Sequence, residues 1–236
     1  FPLVIVVFSI LSPLTARYLN ELLDFLLGET DIGLNFPDPT IYDSYLQFYS
    51  DLNEIVLFVI LFTAVSIFIR DKTKGLMPLV LSKPINRDKY YLSKYISFSI
   101  LVLVSLIIGY LVFSYYTYFL FDDVLFGRGL IIMLLYFVYI LFILSITLFT
   151  SIVFKSYVGS IATAFGIYIF VSILAVFDEV AIIKYFPGMM TTRAIQFVLH
   201  NYDAIDVWMT SLVTLALTGG LVFYSLILFR KQDLIT

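Results

Sequence analysis

Few side chains in this sequence combine the types and spacing that chemistry needs. His200, Asp203 and Asp206 place an imidazole and two carboxylates close enough to share a helical face, the pattern of a partial metal shell. There is no second histidine and no cysteine to complete it. An interfacial helix end with scattered polar residues is therefore the better reading, and no metal or cofactor is expected on this chain. Ser82-Lys83 and Ser93-Lys94 have the composition of a serine-lysine nucleophile pair, whose lysine must lose its solvent shell to act as a base. Both pairs sit in a run crowded with cations, which favours a structural or interface role. The phosphate-binding patterns G-x-x-x-x-G-K-[ST] and G-x-G-x-x-G are absent, so any ATP that drives this protein, with its Mg, is bound by another chain. With no cysteine, disulfides and thiol catalysis are excluded as well.

The densest functional signal is the stretch from Arg70 to Lys94. It holds Arg70, Lys72, Lys74, Lys83, Arg87, Lys89 and Lys94 out of 14 basic residues in all. Between these cations lies the apolar patch Leu76 to Leu81, too short to cross a bilayer. Asp71 to Leu81 is expected to form a helix with Leu76, Leu79 and Val80 on one side. Pro84 closes it, and Asn86 caps the helix that follows. A helix that is both cationic and apolar can lie on anionic lipid or fit a groove in a partner protein; composition does not choose between them.

The elements that must position these residues are membrane spans. Of 236 residues 61% are hydrophobic and 13% charged, with a mean hydropathy of +1.03, whereas a soluble domain is roughly half apolar and a quarter charged. Uncharged apolar runs near 20 residues mark a span, and six occur, at about 1–16, 53–69, 90–120, 130–154, 158–177 and 207–229. The fold class expected is all-α, a single polytopic membrane domain over residues 1–236. Phe1 opens directly into an apolar run without a basic flank, so the run is read as a truncated first span rather than a signal peptide. Charge inside the spans is essentially absent, with Glu54 and Asp178 at their ends, which disfavours an ion channel or a proton-coupled carrier.

Lys and Arg set orientation. If residues 70–94 are cytoplasmic, Lys155, Arg230 and Lys231 fall on the same side, making ten basic residues against Asp71, Asp88 and Asp233. The opposite side holds Arg17, Arg128, Lys184 and Arg193 against fourteen acids. Both termini are then cytoplasmic and the fourteen acids face out, where they are simply tolerated. On that outer side, residues 17–52 read as an interfacial helix from Tyr18 to Leu27, a break through Gly33, Pro37 and Pro39, and a second short helix leading in. Residues 178–206, interrupted at Pro187-Gly188, read as an interfacial or re-entrant helix pair.

The run D-K-T-K-G-L-M-P-L-V-L-S-K-P-I-N-R-D-K-Y-Y-L-S-K after the second span resembles the signature of type-2 ABC transporter permeases, E-x-x-x-G-T followed by L-x-x-P-[IV]-[ST]-R. L-S-P-L-T-A-R-Y-L-N-E-L-L near the start resembles the end of the first span in a Gram-positive subgroup. The resemblance implies a coupling helix docking on a cytosolic ATPase, with Asp71, Gly75, Leu81, Ser82, Lys83, Pro84 and Arg87 at the motif positions. Asp71 stands where the family has Glu, and Leu76 where it has Thr. The implied protein is the membrane subunit of a bacterial plasma-membrane exporter, not itself an enzyme. It pairs with a second copy or a related permease and moves an amphipathic lipid, lipopeptide or antimicrobial peptide. Its expected partners are that ATPase, the second permease and lipid, with no nucleic acid. The alternatives are a membrane-embedded enzyme centred on His200 and a sensor or immunity subunit that moves no cargo.

Overall fold

A computed structural model describes residues 1–27, 38–75, 87–177 and 183–231. Among them there are helices and no strand, in the order α1 (Pro2–Leu27), α2 (Ile41–Asp51), a π-helical segment (Leu52–Val56), α3 (Leu57–Thr73), α4 (Arg87–Phe121), α5 (Phe126–Val153), α6 (Tyr157–Leu174), α7 (Met189–Val198) and α8 (Ala204–Lys231). Six helical stretches are long and apolar enough to cross a membrane. The chain is an all-α polytopic membrane protein.

Several elements run further than their apolar content predicts. The helix expected over Tyr18 to Leu27 is not separate, because α1 continues from the first span to Leu27. Nothing between Arg17 and Leu27 breaks a helix, so charge marks where the rod leaves the apolar slab and not where it ends. Pro13 sits inside it. The second span is likewise not confined to residues 53–69. Asp43 accepts from the Thr40 N–H at 2.8 Å and starts α2, which passes through the π segment into α3 as one stretch, Ile41–Thr73. Glu54 therefore lies within the rod.

At the other end of α3 the expected helix from Asp71 is corrected. Asp71 to Thr73 are its last turn, and Gly75 follows Lys74 with φ +65. A left-handed residue just past a helix is the common C-terminal stop, and glycine takes it without a Cβ penalty. Leu81, Ser82, Lys83, Pro84 and Asn86 lie outside the described residues. Between Asp178 and Asp206, the described part has turns at 183–188 and one helix, α7, in place of the expected pair; residues 178–182 are not described.

The core is organised around α5, which packs against α3, α4, α6, α7 and α8. Its best apolar window is 67% buried, against 17% for α6 and 22% for α8, so α5 is central while α6 and α8 turn most of their apolar surface outward. The helix α1 crosses α4 closely at Gly109, where a Cβ would overlap Ile5 and crowd Ser9. Near the turn that precedes α5, Phe48 of α2 stacks on Phe113 of α4 with ring centroids 4.3 Å apart. Most buried hydroxyls return to a carbonyl one turn back, as Thr210, Thr214 and Thr218 do at 2.7 to 2.8 Å. They satisfy themselves locally.

Candidate functional site

The cation-rich end of the bundle, where α3 leads into residues 74–86 and α4 leads out, is braced by three ties. First, Asp71 in the last turn of α3 pairs with Lys94 of α4 at 2.6 Å and accepts a hydrogen bond from the Tyr90 hydroxyl. Lys94 also donates to the Ile67 carbonyl at 3.2 Å and lies 4.7 Å from the Tyr90 ring centroid. Both side chains are about one-fifth exposed, so solvent screens the pair less than a surface pair.

Second, Lys72 reaches from α3 to the end of α5 and donates to the Ile152 and Phe154 carbonyls at 2.6 and 2.9 Å. The last carbonyls of a helix lack partners within it and carry the negative end of its dipole. One ammonium answers both needs and fastens two spans. Third, Arg230 in the last turn of α8 grips Asp88 in the first turn of α4, its Nε donating at 2.9 and 2.7 Å to the two carboxylate oxygens, with a further contact from Nη2. Asp88 also suits the positive N-terminal end of its helix.

Of the residues at the motif positions, Asp71 is turned inward onto α4. Gly75 is exposed, and open space surrounds the position of its missing Cβ. The backbone of Arg87 opens α4. Leu81, Ser82, Lys83 and Pro84 are outside the described residues. Lys94, Tyr90, Lys72 and the pair Asp88–Arg230 were not singled out as a connected set. The available signal was opposite charge at the facing ends of antiparallel neighbours, but the partners are 23 and 142 residues apart in sequence.

At the opposite end, His200, Asp203 and Asp206 are used separately. Asp206, 7% exposed, pairs with Lys184 at 2.9 Å and with Arg193 at 3.3 Å. Asp203 accepts from the Ile205 N–H at 2.9 Å and starts α8. His200 is exposed with φ +59, past the end of α7. Among the described residues no three His, Cys, Asp or Glu side chains are placed to hold a metal ion. Asp206 instead ties α8 to the turn before α7 and to α7 itself, and its hydrogen bond raises the Lys184 pKa above the ordinary lysine value.

A family model described as "ABC-2 family transporter protein" matches residues 47–234. A relative in Bacillus subtilis (strain 168), "Uncharacterized transmembrane protein YxlG", is 24% identical over 205 residues, covering 86% of this chain and 79% of its own length. No solved structure matches. With six apolar rods and a family match over most of its length, the chain belongs to the ABC-2 transporter family, as a transmembrane permease.

Proposed function

We propose that the chain is the membrane subunit of an ATP-driven exporter and that residues 70–94 are the element on which a cytosolic ATPase acts. Gly75, Leu81, Ser82, Lys83, Pro84 and Arg87 supply the docking stretch, while Asp71 braces it from behind. The observation that carries this reading is the set of three ties. A connection with no mechanical role needs no anchoring of both flanking helices, yet α3 is fastened to α4 and α5, and α4 to α8. A push on the loop then moves four helix ends together, the rigid-body response that opens a path between bundles.

The excess of Lys and Arg supports a cytoplasmic side for this end and for both termini. ATP and Mg bind on the partner, consistent with the absent phosphate loop. The path lies at the interface with a second copy or a homologous permease. The outward apolar surface of α6 and α8 suits such a partner or lipid, and the cargo is an amphipathic lipid, lipopeptide or antimicrobial peptide.

The test uses the permease purified with its ATPase. Gly75→Trp and Arg87→Glu are expected to release the ATPase or abolish its response while membrane insertion stays intact. Unchanged co-purification and ATP turnover in both variants would sink the assignment.

A further inference from the structure

Beside the π segment, between α2, α5, α6 and α7, is a cavity of about 260 Å³. Pockets for whole drug-sized ligands run roughly 300–1,000 Å³, so this one fits a head group. Tyr49, Asn53, Glu54, Tyr139, Tyr168 and Ser172 give it its chemistry. The Tyr49 hydroxyl and Asn53 Oδ1 lie buried in its wall close to each other, and neither makes a hydrogen bond of good geometry among the described residues; Tyr49 is 1% exposed. Buried polar atoms are nearly always partnered, so two such atoms on one cavity point to something that fills it.

Charge identifies the class. Glu54 is exposed at the cavity and held by the Ser50 hydroxyl at 2.9 Å. A neighbouring cavity of about 500 Å³ shares Leu46, Ser50 and Ile195 with the first and adds Asp43. Among the described residues neither cavity is lined by Lys, Arg or His. Glu54 lies about 24 Å along the rod from Arg70 at about 1.5 Å per residue, still within a hydrocarbon slab of about 30 Å. That puts the carboxylate near the far face of the slab, at head-group level, and tyrosine faces add the π-surface that cations favour.

We propose that this cavity binds the ammonium head group of an amphiphile, with Glu54 as counter-ion and Tyr139 and Tyr168 as aromatic walls. The tail lies outside, toward the larger cavity beside α1. Its role as a cargo site rests on the exporter reading; its binding chemistry does not.

The full chain in phosphatidylglycerol nanodiscs is titrated with decyltrimethylammonium, decyl sulfate and decyl maltoside, each corrected against empty discs. Saturable binding of the cation is expected, at least tenfold tighter than the other two. Glu54→Gln and Tyr168→Leu should each weaken it about tenfold or more with unchanged helical content, and Glu21→Gln should leave it alone. Adding phosphatidylethanolamine separates two sources of the ammonium: competition means a resident lipid fills the site, and no competition means an exogenous amphiphile does. Equal binding of all three amphiphiles, or wild-type affinity in both cavity variants, overturns the proposal. Because no ATPase is present, a chain that binds the cation yet never couples to an ATPase contradicts the exporter reading alone.

Discussion

The two ends of the bundle spend their polar groups differently. At the cation-rich end Asp71, Lys72, Asp88, Lys94 and Arg230 all have partners, and each partnership joins two helices. At the acidic end Asp206 with Lys184 and Arg193 holds α7 and α8 together, and Ser12 of α1 donates to Asp51 of α2 at 2.7 Å. Next to these ties, buried polar atoms face a cavity without a hydrogen bond of good geometry among the described residues. Saturated, cross-helix pairing makes a region move as a body. Unsaturated groups around a void make a region ready to bind. On the proposed function, the first end transmits force and the second binds.

Substitutions can break that assignment, beginning with the largest. Asp206→Ala takes the counter-charge from Arg193, which is 8% exposed and keeps only neutral acceptors such as Gln196 at 2.9 Å, and removing one partner of a buried pair costs several kcal/mol. A loss of about 3 kcal/mol is expected in denaturant unfolding of the purified chain, with ATPase coupling per folded molecule retained. Lost coupling at full stability would reverse the division of roles. Asp71→Ala should cost about 2 kcal/mol, since Lys94 and Tyr90 lose one acceptor together. Here ATPase stimulation should fall with stability, and a double-mutant cycle with Lys94→Met should show coupling of 1 kcal/mol or more.

Lys72→Met removes the ammonium that bridges two helix-end carbonyls, at about 1.5 kcal/mol, and should slow coupled turnover without changing amphiphile affinity. Gly75→Ala forces a Cβ into a left-handed conformation, worth about 1 kcal/mol. Gly75→Trp should cost no more than Ala in stability, because nothing crowds the site, but far more in coupling. Equal coupling in the two would place docking elsewhere. Smallest is Arg230→Ala: Arg230 is 65% exposed, so the least loss of stability in the series is expected, diminishing further in salt.

Much of this was legible in the sequence, and the reasons for the remainder are physical. Apolar runs located six spans because bilayer thickness sets their length. They misplaced the ends of α1 and of the Ile41–Thr73 rod, because a helix persists until a breaker stops it, whereas hydropathy reports only where it leaves lipid. Glu54 was consequently read as a boundary residue when it sits within a rod. The Arg70 to Lys94 stretch was recognisable from composition and spacing, and Gly75 stops α3 within it. The inward turn of Asp71 was not, because Lys94 approaches it only once α3 and α4 pack side by side. His200 illustrates the converse, since spacing grouped it with Asp203 and Asp206 while each carboxylate found a closer partner.

The central claim is that an ATPase acts on the stretch between α3 and α4. The chain contains no cysteine, so single cysteines report without background. With the permease and its ATPase in membranes, Lys83→Cys, in the stretch between α3 and α4, and Asp123→Cys, in the turn between α4 and α5, are each labelled with a photoreactive maleimide and irradiated. The account predicts a cross-link from position 83 to the ATPase and none from position 123. A cross-link from position 123, or none from position 83 in an intact, ATP-hydrolysing complex, would contradict it.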